Sequence, residues 1–215
     1  MRYWRISRDM NSRARVDHQK ILPATLVSGK HPNMKLSIAL FVFVSSPLAL
    51  ATSTSDVLAS ITVISNSLNT FSAAINQGLS IPTSAVINDG NALTNALNQG
   101  GQVISAFTNP SSLSMADAQT IVNAIEPLVP AFQSMATAWN NNAQIYKTIQ
   151  GLTLQMFSLA DNMEIGFDSF GGGINDLIVP LGGEVAAQAF LFPVNAGSAI
   201  DSVSNTYFQL LETGS

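Results

Sequence analysis

Apolar residues recur every three or four positions along most of the chain after residue 55. The first stripe consists of Val57, Ile61, Ile64, Leu68, Phe71 and Ile75. Alternating steps of four and three residues keep all six on one side of an α-helix. We expect this helix to have Ser55 as its N-cap, directly before Asp56, and to end at Gly78.

A second stripe follows Pro82 but contains several glycines. Its apolar members are Val86, Leu93, Leu97, Ile104 and Phe107. Gly90, Gly100 and Gly101 lie within the same stretch, and each costs about 1 kcal/mol in a helix interior. We therefore expect this helix to bend or break near Gly100.

The third segment opens with Ser114-Met-Ala-Asp117, in which Ser114 can cap free amides and Asp117 favours the helix dipole. Its stripe comprises Ile121, Ile125, Leu128, Phe132, Met135 and Trp139. Pro127 and Pro130 interrupt this stripe without changing its phase. The pattern predicts a kinked helix or two short helices that meet at a corner.

Two further stripes complete the pattern. The fourth comprises Ile145, Ile149, Leu152, Met156, Leu159 and Met163, and the last comprises Val185, Ala189, Phe192, Ile200, Val203, Tyr207 and Leu210. Between them we expect a glycine loop at Gly171–Gly173 and a turn at Pro180–Gly183. Without convincing strand alternation, the chain is predicted to be an all-α helical bundle of about five helices with proline-kinked segments.

The cations are concentrated at the N-terminal end, where eight of the nine Lys and Arg residues lie at or before Lys35. An apolar run of about 16 residues follows, from Leu36 to Ala51, and it ends in Ala49-x-Ala51. We interpret residues 34–51 as a signal peptide, residues 1–33 as an over-extended N-terminus, and residues 52–215 as one secreted domain. An organelle presequence or an uncut membrane anchor fits less well, because the run is shorter than the roughly 20 residues of a membrane span.

Residues 52–215 carry few chemically reactive groups. They contain no Cys, His or Arg, and Lys147 stands against eleven Asp and Glu, which gives a formal net charge of −10. This composition argues against Ser-His and Cys-His nucleophiles, an ordinary zinc site and a nucleic-acid surface. We expect no catalytic residue, no metal and no cofactor. Paired carboxylates for polysaccharide hydrolysis remain formally possible among the eleven acids.

Large rings and thioethers are frequent among the predicted interior positions of the later segments. Such adaptable side chains can line a lipid cavity, although they are equally typical of an ordinary core. The candidate lining residues are Phe132, Met135, Trp139, Met156, Phe157, Met163, Phe190 and Phe192. Lys147 is the candidate partner for a fatty-acid carboxylate, and its alternative role is a solvated charge.

Several of these features together resemble the fungal hydrophobic surface binding protein A and cell-wall galactomannoprotein family. They are the export signal, Asp56 in the first helix, Ser114-Met-Ala-Asp117, and the proline-interrupted stretch from Ile125 to Phe132. The resemblance spans about residues 55–211. It implies a secreted helical bundle that adsorbs to hydrophobic surfaces or holds a fatty acid or other lipid in a tunnel between its helices.

The sequence thus favours a secreted, non-catalytic fungal protein of the cell wall or extracellular region. Its expected partners are hydrophobic surfaces, a fatty acid or other lipid, and cell-wall polysaccharide. We expect no nucleic-acid partner and no membrane span after signal cleavage. The alternatives are a structural or host-directed interaction protein of the wall and, less favoured, an enzyme that acts on polysaccharide.

Overall fold

A computed structural model describes residues 53–107 and 113–213. These residues form an all-α bundle, as the hydrophobic stripes predicted. The predicted N-terminal extension, signal peptide and cleavage near Thr52 lie outside the described residues. The six described α-helices are α1 (Thr54–Gln77), α2 (Thr83–Ser105), α3 (Met115–Ile125), α4 (Leu128–Lys147), α5 (Leu152–Ile178) and α6 (Gly183–Glu212), and short 3-10 turns occupy Gly78–Ser80 and Val179–Leu181.

The N-cap of the first helix lies two residues earlier than the sequence predicted. Its N-cap is Ser53 and not Ser55, because the backbone amide of Ser53 donates to Oδ2 of Asp56 at 2.8 Å. Asp56 occupies the third helical position, from which a carboxylate reaches back to the N-cap amide. The helix ends at Gly78 as expected, where a φ of 53° favours glycine.

The third predicted segment is two helices, α3 and α4, that meet at Glu126 and Pro127. Ser114 caps α3 as predicted, because its Oγ accepts from the Asp117 amide at 3.0 Å. Pro127 has no N–H to continue the ladder of α3, whereas Pro130 lies in the first turn of α4, where proline is tolerated. The prolines therefore produce a corner rather than a single bent helix.

Of the bend or break expected near Gly100, the break is wrong, because α2 continues through Gly100 and Gly101 to Ser105. These glycines let other helices approach closely. A Cβ at Gly90 would overlap the Leu159 side chain, and one at Gly100 would lie 2.9 Å from Cδ1 of Ile64. The packing that they allow offsets their low helix propensity.

Two expectations about α5 are also wrong. The fourth stripe does not begin at Ile145, because Gly151, with a φ of 76°, separates α4 from α5, and Ile145 is 44% exposed near the end of α4. Gly171–Gly173 is not a loop but part of α5. The backbone at Gly171 passes close to Phe167 and Pro193, where a side chain would be crowded.

The helices enclose one hydrophobic core. In it α5 packs against α2 and α6, α6 also packs against α4, and α1 packs against α2 and α4. Among the described residues, Thr54–Ser80 is long and apolar enough to span a membrane. The apolar stripe of this segment is buried in the bundle, which is the behaviour of a core helix.

Candidate functional site

Most of the predicted cavity-lining side chains lie together in the interior between α4, α5 and α6. The six interior members are Phe132, Met135, Trp139, Met156, Met163 and Phe192, and none is more than 2% exposed. Their positions follow from the helical stripes, because residues three or four apart share one face. Side chains fill this interior in the structure.

The other candidates lie nearer the surface. The expectation that Phe190 points into the core is wrong, because this ring is 54% exposed. Phe190 and Phe192 are two positions apart on α6, so they face nearly opposite sides of the helix, and Phe192 takes the buried side. Phe157 is partly buried and lies 6.1 Å from the Phe208 ring. Lys147 is exposed at the last position of α4, where a cation complements the helix dipole.

One half of the interior is a cluster of purely apolar rings. Phe132 meets Phe167 edge to face, with centroids 5.3 Å apart and planes at 76°. Phe192 lies 5.5 Å from Phe167 and 5.9 Å from Phe170. This apolar ring cluster, consisting of Phe132, Phe167, Phe170 and Phe192, joins α4, α5 and α6.

The other half contains rings that carry polar atoms. The Trp139 indole lies 5.0 Å from the Phe71 ring of α1 and 6.1 Å from the Tyr207 ring of α6. Oη of Tyr207 donates to the backbone oxygen of Trp139 over 3.4 Å, a long hydrogen bond. Burial, followed by the effect of the Tyr146 phenol, raises the pKa of Tyr207, so its hydroxyl stays protonated as a donor.

Tyr146 belongs to the same region and was missed by the hydrophobic stripes. It is 1% exposed and lies seven residues after Trp139 on α4, so the two share a face. The seven-residue spacing is a signal that could have identified it. Within the described residues, neither Oη of Tyr146 nor Nε1 of Trp139 has a hydrogen-bond partner. An unsatisfied buried donor costs about 1–3 kcal/mol.

Open grooves lie on the surface of the bundle. One, of about 390 Å³, runs between α2 and α5 past Ile87, Leu154 and Leu159. Another, of about 500 Å³, lies between α1 and α4 beside Asn76, Pro130 and Thr137. None of the predicted site residues lines either groove.

Carboxylates gather where α5 faces α6. Burial, together with the charge of Asp201, raises the pKa of Glu164. Burial and the charge of Asp168 raise the pKa of Asp201 in the same way. These groups therefore form an acidic face whose Glu164 and Asp201 bind protons more readily than isolated carboxylates do.

The described bundle has the fold of solved fungal proteins. It matches Afmp4p in complex with palmitic acid with a TM-score of 0.64 at 16% identity, covering 72% of this chain and 99% of that chain. Ligand binding domain 1 of the Penicillium marneffei MP1 protein, complexed with arachidonic acids, matches with a TM-score of 0.62 at 14% identity and coverages of 72% and 99%. Domain 2 of the same protein, complexed with multiple arachidonic acids, gives 0.61 at 17% identity and coverages of 72% and 96%.

No protein-family model matches the chain, and no curated protein matches it. At identities of 14% to 17%, the structural likeness establishes a shared helical fold.

Proposed function

We propose that this protein is a non-catalytic, secreted fungal protein of the cell wall or extracellular region that binds a fatty acid in its helical interior. One observation carries the proposal. Three solved structures that share this fold over 96% to 99% of their own length are complexes with palmitic or arachidonic acid. We further propose membership of the cell-wall galactomannoprotein family, on the sequence features described above.

The interior side chains suit such a ligand. Met135, Met156 and Met163 have flexible thioethers that can repack around an inserted chain, and the neighbouring phenylalanine rings offer broad apolar surfaces. Burial of apolar ligand surface contributes about 25 cal/mol per Å². Because side chains fill the interior of this structure, ligand entry requires the rings and thioethers between α4, α5 and α6 to rearrange.

The composition of residues 52–215 supports a binding role over an enzymatic one. The segment contains no His, Cys or Arg and only Lys147 as a cation. It therefore lacks the usual acid–base and nucleophile pairs of hydrolases. An assay of wall glucan and chitin hydrolysis tests the enzymatic alternative, which would require activity that a single carboxylate substitution removes.

Native mass spectrometry of the protein released by its own host tests the proposed function. We expect the mass of residues 52–215 with an adduct of lipid size that is lost on mild denaturation. The delipidated protein should then bind added palmitic or arachidonic acid in a calorimetric titration. Absence of an adduct together with absence of binding to either acid would contradict fatty-acid binding, and a chain that retains residues 1–51 would contradict secretion by signal cleavage.

Adsorption to hydrophobic surfaces is a second candidate function, favoured by an exposed apolar patch on α6. Phe190, Leu191 and Val194 are 54%, 51% and 47% exposed and lie within two turns of the helix. Charged residues form 10% of the chain, against about 25% in typical proteins, so few charges hydrate the surface. Such a surface favours contact with an apolar solid.

Two variants, each with several substitutions, test this second function. Replacing Phe190, Leu191 and Val194 by Ser should reduce adsorption to a hydrophobic solid, measured by quartz-crystal microbalance. Replacing Leu154 and Ile165 by Ser is the matched control, because these α5 side chains are 57% and 60% exposed but lie outside the patch. Equal loss in both variants would indicate general stickiness and not a defined adsorption surface.

A further inference from the structure

Three aromatic rings with polar tips lie together between α4 and the C-terminal half of α6. Trp139 and Tyr207 are fully buried, and Tyr146 is 1% exposed. The rings of Trp139 and Tyr207 lie 6.1 Å apart. Tyr146 follows Trp139 by seven positions, about two turns, on the same buried face of α4, and its phenol further raises the pKa of Tyr207. We call Trp139, Tyr146 and Tyr207 the donor cluster.

The donor cluster supplies more hydrogen-bond donors than the protein satisfies. The indole N–H can only donate, and each protonated phenol donates one hydrogen. Tyr207 makes one long bond of 3.4 Å to the backbone oxygen of Trp139. In the described part of the chain, Nε1 of Trp139 and Oη of Tyr146 pair with no acceptor. Buried polar groups are normally paired, so this cluster is suited to a ligand that brings acceptor atoms.

We propose that the donor cluster binds the carboxyl group of the fatty acid and so defines one end of the interior lipid site. This inference rests on the proposed fatty-acid binding. A carboxylate is an acceptor only, with two oxygens and about four lone-pair positions. It can therefore accept from the unpaired Nε1 of Trp139 and Oη of Tyr146, and Tyr207 can exchange its long bond to the Trp139 backbone for a carboxylate oxygen. An alkyl chain would leave the indole and the Tyr146 hydroxyl unpaired.

The buried face of α4 provides a path for the alkyl chain of the fatty acid. The buried face of α4 runs from Tyr146 through Trp139 and Met135 to Phe132. At about 1.5 Å per residue this path is about 21 Å long, comparable with an extended palmitoyl chain. It ends at the apolar ring cluster, where Phe132 meets Phe167. The polar and apolar ends of the interior thus correspond to the two ends of a fatty acid.

This assignment differs from the prediction that Lys147 holds the carboxylate. Lys147 follows Tyr146 directly in the chain, but its side chain is exposed at the end of α4. An exposed ion pair is weakened by salt, whereas hydrogen bonds from buried, uncharged donors are screened much less. The two assignments therefore predict different responses to substitution and to ionic strength.

The test compares palmitic acid with methyl palmitate on the delipidated secreted protein and its variants. Tyr146→Phe and Tyr207→Phe each remove one hydroxyl and keep the ring. We expect each to weaken palmitic acid binding about tenfold or more, and to weaken methyl palmitate binding less, because the uncharged ester makes weaker hydrogen bonds. Phe132→Leu is the control at the tail end and should affect both ligands equally. Lys147→Met should leave both affinities and their weak salt dependence unchanged.

A spectroscopic readout separates a direct contact from a loss of packing. In ¹⁵N NMR spectra, the indole N–H signal of Trp139, assigned by its absence in Trp139→Phe, should move downfield when palmitic acid binds and less with the ester. The thermal midpoint of each Tyr→Phe variant confirms that the variant is folded.

The outcomes distinguish the two levels of the proposal. If the wild-type chain binds neither ligand, fatty-acid binding itself is refuted, and the headgroup assignment with it. If the wild type binds palmitic acid but both Tyr→Phe variants bind it equally well, the donor cluster does not hold the carboxyl group, while the proposed function stands.

Discussion

The ring of Phe71 meets the Trp139 indole edge-on, with centroids 5.0 Å apart and ring planes at 87°. Both side chains are completely buried, and they connect α1 to α4 at the polar-tipped end of the interior. Edge-to-face aromatic pairs contribute about 0.5–1.5 kcal/mol beyond the area that they bury. This contact therefore stabilises the helix that carries two members of the donor cluster.

Phe71→Ala should lower the free energy of unfolding by about 3–5 kcal/mol, because it removes a buried ring and leaves a cavity beside Trp139. Urea denaturation followed by circular dichroism measures this change. Phe190→Ala is the matched control, since its ring is 54% exposed and its loss should change stability by no more than about 0.5 kcal/mol. Similar losses for both variants would contradict the assignment of Phe71 to the core.

Gly90→Ala should destabilise the protein by about 1–3 kcal/mol, because its Cβ would overlap Leu159 and press on Phe71. Gly172→Ala should instead stabilise the protein by about 0.5–1 kcal/mol, since a Cβ there meets nothing within 4 Å and alanine is the better helix former. Thermal denaturation of the two variants checks both signs. A stabilising Gly90→Ala would show that α2 and α5 are not held as close as described.

Ser114→Ala should cost about 1 kcal/mol, because it removes the oxygen that accepts from the Asp117 amide. Ser114→Asp retains a capping acceptor and should keep most of the stability. Chemical denaturation of the three proteins measures the difference. An alanine variant as stable as the wild type would mean that this cap contributes nothing to the fold.

Mild acidification should stabilise the protein through Glu164. Because burial and the charge of Asp201 raise the pKa of Glu164, its carboxyl group binds a proton more tightly in the folded state than in the unfolded state. The contribution of Glu164 to the free energy of unfolding therefore increases as the pH falls through the raised pKa towards the ordinary value of 4.5.

At lower pH, protonation of Asp56 has the opposite effect and decreases the stability of the protein. Hydrogen bonds from Ser53 lower the pKa of Asp56, so its stabilising effect is lost as the pH falls below the ordinary value of 3.8. Stability should consequently pass through a maximum in mildly acidic solution.

Thermal midpoints of the wild type and Glu164→Gln across this pH range test the Glu164 contribution. The variant should be more stable near neutrality by a few tenths of a kcal/mol and should lose part of the pH response. If Glu164→Gln showed the same dependence of stability on pH as the wild type, the proposed contribution of Glu164 would be contradicted.

The helical stripes and caps were largely readable from the sequence because they depend on neighbours within one or two turns. The all-α class, the cap at Ser114 and the stop at Gly78 are confirmed. The errors at Ser55 and Ile145 arose where a nearby residue, Asp56 or Gly151, decided the boundary.

The glycines and the donor cluster required the tertiary structure. Gly100 appeared to be a helix breaker in isolation, but α2 and α5 approach each other at this stretch, which makes the missing side chain useful. Tyr146 and Tyr207 belong to different helices, and only the packing of α4 against α6 brings their hydroxyls into one region.

The sequence by itself determined the all-α class, several helix ends and the main buried stripes, because periodicity, capping and composition are properties of short segments. It also determined the sparse chemistry of residues 52–215, since side-chain inventory does not depend on folding. Only the tertiary structure decided how close the helices lie, that Phe190 faces outward while Phe192 is buried, and which donors meet without acceptors. These properties depend on contacts between segments far apart in the chain, which a local pattern does not specify.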